Sequence, residues 1–136
     1  MTIRIKRVYD DPAPDDGSRV LVDRLWPRGV SRERAELDDW IKDVAPSPDL
    51  RTWWNHDPDR IDEFAERYRT ELGATPVTAA AVARLRSLVA ANARTGTTTT
   101  LVYAARDPVV NHARILGEYL GAAHPESLPV GAPPTP

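Results

Sequence analysis

The sequence predicts a three-layer α/β fold: a small, mostly parallel sheet flanked by helices, in a single domain. Three observations lead there. Val20-Leu21-Val22 and Leu101-Val102-Tyr103 are apolar runs without polar alternation, which is how strands covered on both faces read. Segments of helical periodicity lie between and after them, implying a parallel pair joined by a right-handed helical crossover. The 136 residues, 41% hydrophobic and 28% charged, suffice for one core and are too apolar for a disordered chain.

Taken in order, Ile3, Ile5 and Val8 suggest a short half-buried strand, ended by the turn-rich stretch from Asp10 to Gly17. Arg19 to Arg24 follows as the expected central strand. After Trp26-Pro27-Arg28-Gly29 the pattern turns helical, and four helix starts pair a capping side chain with proline: Ser47-Pro48, Asp57-Pro58, Thr75-Pro76 and Asp107-Pro108. The capping oxygen accepts from a backbone N–H that the helix leaves unpaired, and proline at the first position gives up a donor that had no partner.

From Pro58 to Leu72 the stripe Ile61, Phe64, Ala65, Tyr68 and Leu72 predicts an amphipathic helix, with Gly73 free to end it in the left-handed conformation. Ala81, Leu85, Leu88 and Val89 mark the next helix, which frays before Thr95-Gly96. Thr97 to Ala104 reads as a strand through its β-branched run. The last helix is expected from Asp107-Pro108, with His112, Ile115, Leu116, Tyr119 and Leu120 inward. The domain therefore spans 1–121, and the proline-rich 122–136 reads as a flexible tail carrying His124. Trp40, Trp53, Trp54, Phe64 and Tyr68 are expected to form an aromatic core cluster.

Composition excludes several functions. A net charge of −2 exerts no global pull on nucleic acid or anionic lipid, so nucleic acid is disfavoured as a partner. Only a local stripe through Arg28, Arg32, Arg34 and Lys42 speaks for it. The absence of cysteine removes disulfides, thiolate nucleophiles and thiolate metal sites. No signal-peptide core and no long apolar run is evident, so a cytoplasmic protein without a membrane partner is expected. No metal is expected, because His56, His112 and His124 have no His-x3-His spacing. No cofactor is expected, and the sequence has no Gly-rich phosphate loop, no Gly-x-Ser-x-Gly and no Ser/His/Asp ordering that stands out.

In open parallel sheets ligands gather beyond the carboxyl ends of the strands, here Asp23 to Gly29 and Tyr103 to Asp107. Arg24 and Arg28, set around Trp26 and a turn, form a candidate clamp for carboxylate or phosphate. The alternative is that Arg24 pairs with Asp23 or another acid and that Trp26 is core. His112 is a candidate general base at the sheet end of the last helix, or else a core histidine with one structural partner. Tyr103 and Asn111 are candidate orienting donors, and His56 has no assigned role.

Five tracts in fixed order then carry a resemblance: Lys6-Arg7-Val8-Tyr9, Arg19 through Gly29, Ala45-Pro46-Ser47, Leu101 through Ala105, and Asn111-His112-Ala113. They resemble the YeaO-like branch of the domain-of-unknown-function family 488 over roughly residues 2 to 121. The resemblance implies that longer members of the wider family carry Cys-His-Arg where this chain has Asn111-His112-Ala113, so no cysteine chemistry transfers. The leading expectation is a pocket for a small anionic ligand, phosphorylated molecules included, with His112 as candidate base. The competing one is a protein-interaction domain using Trp26 and Arg28.

Overall fold

The computed structural model describes residues 2–121; the expected tail over 122–136, His124 included, lies outside the described residues. The chain begins with β1 (Ile3–Arg7) and β2 (Ser18–Leu21), separated by a loop with one tight helical turn at Pro14–Asp16. Then come α1 (Arg32–Ala35), β3 (Asp39–Trp40) and α2 (Pro48–Trp54). Next, α3 (Ile61–Leu72) and α4 (Pro76–Arg94) lead into β4 (Thr99–Tyr103) and α5 (His112–Gly121). The strands form one sheet in the order β1-β4-β2-β3, and every neighbouring pair is parallel. The fold is thus α/β, and the two unalternated apolar runs, in β2 and β4, are its central strands.

The layers on the two faces are unequal. Val20, Val22, Leu101 and Tyr103 point into the main core, which α2 to α5 supply with Leu50, Phe64, Tyr68, Leu85 and Leu116. Leu21 and Val102, the intervening residues, point the other way into a smaller core with Val8, Val30 and Ala35, closed by α1 and loops. The period of two along a strand sorts consecutive apolar residues to opposite faces, so both faces must be covered.

Three of the four cap-proline starts work as expected. The Ser47 hydroxyl accepts from Leu50 N, Thr75 from Thr78 N, and the Asp57 carboxylate from Asp59 N, where a helical turn at Pro58–Arg60 runs into α3. The fourth is different: the Asp107 carboxylate accepts from Val109 N and Val110 N and closes a turn, and α5 starts four residues after Pro108. Asn111 starts it instead, its side-chain oxygen accepting from Arg114 N. Gly73 ends α3 at φ −115°, outside the left-handed region, because the residues after it close with ordinary turn bonds. The short α1 and β3 had no sequence signal, being too brief to show periodicity.

At the amino ends of the strands, Gly17 has φ +64°, and a Cβ there would lie 2.0 Å from Thr98 O. Only glycine lets the chain enter β2 so close to β4. Beside it Asp16 and Arg19, both almost fully buried, pair at 2.7 Å, and Lys6 joins Asp16 at 3.1 Å. Arg19 also donates through Nε and one terminal nitrogen to Ala35 O, so this buried guanidinium is multiply satisfied.

The aromatic residues do not form one cluster. Trp54 stacks on Phe64 at 3.9 Å, Phe64 on Tyr68 at 5.7 Å, and Tyr68 meets the His112 ring edge-on at 6.1 Å. This ladder ties α2 and α3 to α5. Trp53, half-buried beneath Arg60 and Arg67, packs against the edge of the same core, whereas Trp40 packs edge-on against Trp26 on the opposite face of the sheet.

Candidate functional site

Past the carboxyl ends of β2 and β4 the chain encloses a cavity of about 540 Å³. Asp23 to Arg28 form one wall, Ala45, Pro46 and Pro48 a second, and Arg51, Trp54, Asn55 and His56 at the end of α2 a third. Ala104, Ala105 and His112 complete it. Parallel strand ends create this crevice because the loops leaving them diverge to opposite faces.

Four of the residues expected at a site meet here: Arg24, Trp26, Arg28 and His112. Tyr103 and Asn111 do not line the cavity. Tyr103, 1% exposed, is the last residue of β4, and its alternation turns the ring into the main core; Ala104 and Ala105, after it, reach the cavity instead. The Asn111 amide donates to Asp107 O while its oxygen caps α5, so both ends of the side chain hold the backbone.

The wall is electrostatically one-sided. Arg24, Arg28 and Arg51 face a single carboxylate, Asp23. Arg24 donates to Ala45 O at 3.2 Å and stands 3.9 Å from the half-exposed Asp43, a weak pairing. Its Nε is buried without a hydrogen-bond partner, as is Asp23 Oδ1. Buried polar atoms are nearly always paired, so two orphans beside one cavity single it out. Trp26 belongs mostly to the fold: its indole N–H donates to Val30 O at 2.7 Å and Arg32 covers one ring face. The other residues of the supposed basic stripe are also engaged, Arg34 with Tyr9 O and Lys42 over the Trp40 ring.

His112 is held from one side. Its Nε2 lies 3.0 Å from Val22 O and 3.3 Å from Asp23 Oδ1, while Asp23 Oδ2 accepts from Ala104 N at 3.0 Å. Burial pushes the imidazole below its usual range; the Asp23 carboxylate and the bond to Val22 O push back, and the net shift is downward. Burial therefore favours the neutral ring. Among the described residues, no three His, Asp or Glu side chains come together as a metal would require.

Sequence reasoning placed Asp23 at the strand end without a role and left His56 unassigned, and it missed Arg51, Trp54 and Asn55 as cavity residues. Asn55 and His56 sit consecutively at φ +50° and +53°, both left-handed and neither glycine. Such backbone costs roughly 1–3 kcal/mol and gathers at functional sites. Asn55 after the helix was the available signal, since Asn favours that cap conformation. A second groove, about 890 Å³ between α2 and α3, carries Asp49, Asp62, Glu63, Glu66 and Glu71 against Arg67, and its charge is of the opposite sign.

The family described as the Inactive DUF488-N3 subclade matches residues 2–132. The chain belongs to that subclade. It is 45% identical over 118 residues to the uncharacterized proteins Rv3073c of Mycobacterium tuberculosis and Mb3100c of Mycobacterium bovis, covering 87% of this chain and 92% of each relative. To the uncharacterized protein YeaO of Escherichia coli it is 36% identical over 123 residues, covering 88% of this chain and 97% of the relative. No solved structure matches the chain significantly. In this member of the inactive DUF488-N3 subclade Asn111 is 1% exposed and committed to the start of α5.

Proposed function

We propose that the cavity beyond β2 and β4 binds a small anionic molecule, phosphorylated or carboxylated, and holds it without turnover. The observation that carries this reading is the charge of the wall, three arginines against one carboxylate that already accepts from Ala104 N. In a crevice with low-dielectric walls such an imbalance raises the local concentration of anions.

Binding is favoured over catalysis by two further points. The subclade is described as inactive, and Asn111, where the resemblance gives longer members of the wider family a cysteine, serves here as a helix cap. His112 keeps one ring nitrogen without a protein partner, as a base needs, yet no activated nucleophile accompanies it among the described residues. A protein-docking role for Trp26 is weaker, because its N–H and one ring face are engaged within the chain.

Calorimetric titration with sulfate and with inorganic phosphate tests the reading. Binding should weaken with added salt, and Arg24→Ala and Arg51→Ala should each weaken it about tenfold, as expected for loss of a charged hydrogen bond. Arg51 is exposed, so its removal leaves the core intact. Absence of binding, or affinity unchanged in both variants, overturns the proposal.

A further inference from the structure

The cavity has a second polarity besides its arginines. His112 Nε2 lies 3.0 Å from Val22 O, and a carbonyl oxygen has no proton to give. The hydrogen in that bond therefore belongs to Nε2, and in the neutral ring Nδ1 carries a bare lone pair. Among the described residues no hydrogen bond reaches Nδ1, although the ring forms part of the cavity wall. The Tyr68 ring, packed edge-on at 6.1 Å, hinders the rotation that would exchange the two nitrogens.

Asp23 stands behind this ring. Its Oδ1 is buried without a hydrogen bond, since the Nε2–H is directed at Val22 O, and it stands 3.3 Å from Nε2. One side of the cavity thus offers donors, from Arg24, Arg28 and Arg51, and the other offers an acceptor, His112 Nδ1. A bare oxyanion such as sulfate satisfies only the donors. A protonated amine would satisfy the acceptor but would add a fourth cation beside three guanidinium groups. A hydroxyl donates without adding charge.

We propose that the ligand is a hydroxyl-bearing organic anion, a phosphorylated or carboxylated polyol, whose O–H donates to His112 Nδ1 while its anionic group lies against the arginines. This assignment rests on the anion-binding function proposed for the same cavity and narrows its ligand class. A site built to take a hydroxyl's hydrogen discriminates strongly against the analogue without one, because its acceptor is then left dry and unpaired.

The test pairs two phosphate esters of similar size, glycerol 3-phosphate and propyl phosphate, with nitrogen-15 NMR of the His112 ring. Glycerol 3-phosphate should bind about tenfold more tightly than propyl phosphate, equivalent to one added hydrogen bond. The free protein should show Nε2 protonated and Nδ1 not, and His112→Phe should abolish the preference between the esters. If that variant does not fold, the two wild-type measurements decide on their own. Equal affinities, or a proton on Nδ1, overturn this proposal and leave the anion site standing. Failure of both esters and of sulfate to bind overturns the two together.

Discussion

The Asp23 carboxylate accepts from Ala104 N at 3.0 Å, a bond that joins the chain leaving β2 to the chain leaving β4 just where the ladder between them ends. It sets the width of the crevice and holds the other carboxylate oxygen beside His112.

Replacing Asp23 with Asn should accordingly act on the histidine. The carboxylate is what raises the His112 pKa against burial, so its loss should move that pKa further down. An NMR titration of the ring in the two proteins checks the direction. An upward shift would mean that the pair is not coupled as described.

His112 should also leave a mark on stability. A histidine whose pKa is depressed by folding takes up its proton more readily when unfolded, so the unfolded state gains protons first as pH falls. Stability should therefore decline from about pH 6.5 downward, until the pH passes the folded-state value. Urea midpoints at pH 7.5 and 5.5 should differ more in the wild type than in His112→Gln. Equal differences would show that the ring is not buried in its neutral form.

The Asp16 and Arg19 pair has the opposite sign. Burial alone would raise the Asp16 pKa, but the bond from Ala13 N and the Lys6 and Arg19 cations outweigh it and hold the carboxyl below its usual range. Its contribution is present above the unfolded carboxylate value, about pH 3.9, and is lost as pH falls through the lower folded one. Asp16→Asn should cost roughly 3 kcal/mol near neutrality by leaving Arg19 buried with a poorer partner, measured by chemical denaturation.

Much of this was legible from residue patterns. Val20-Leu21-Val22 and Leu101-Val102-Tyr103 predicted a parallel pair because only a strand covered on both faces carries apolar residues in succession. Ser47-Pro48 and Thr75-Pro76 predicted helix starts because the chemistry there is local. Asp107-Pro108 shares that chemistry, yet the same cap closes a turn as well as a helix, and only packing of Ala113, Ile115 and Leu116 decides where α5 begins. The cavity was legible in part. Arg24, Arg28 and His112 follow from strand ends and a helix stripe, whereas Arg51, Asn55 and His56 arrive through the return of α2 to the sheet, a long-range arrangement without local signature.

The Asn111 side chain separates a capping role from a ligand role. Asn111→Ala should destabilise by about 1 kcal/mol through loss of the cap on α5 and leave phosphate affinity unchanged. Asp107→Ala, which frees an exposed turn, should cost less. Denaturation and calorimetry on the same two variants separate these effects; loss of phosphate binding at full stability would return Asn111 to the site.

The central claim, that the crevice beyond β2 and β4 is an anion site, is most directly tested by following backbone amide resonances while sulfate is added to the intact protein. Shifts should concentrate at residues 23–28, 55–56 and 104–105, saturating together and weakening with ionic strength, while residues 62–71 along the acidic groove stay still. Shifts confined to other surfaces, or none at all, would contradict it.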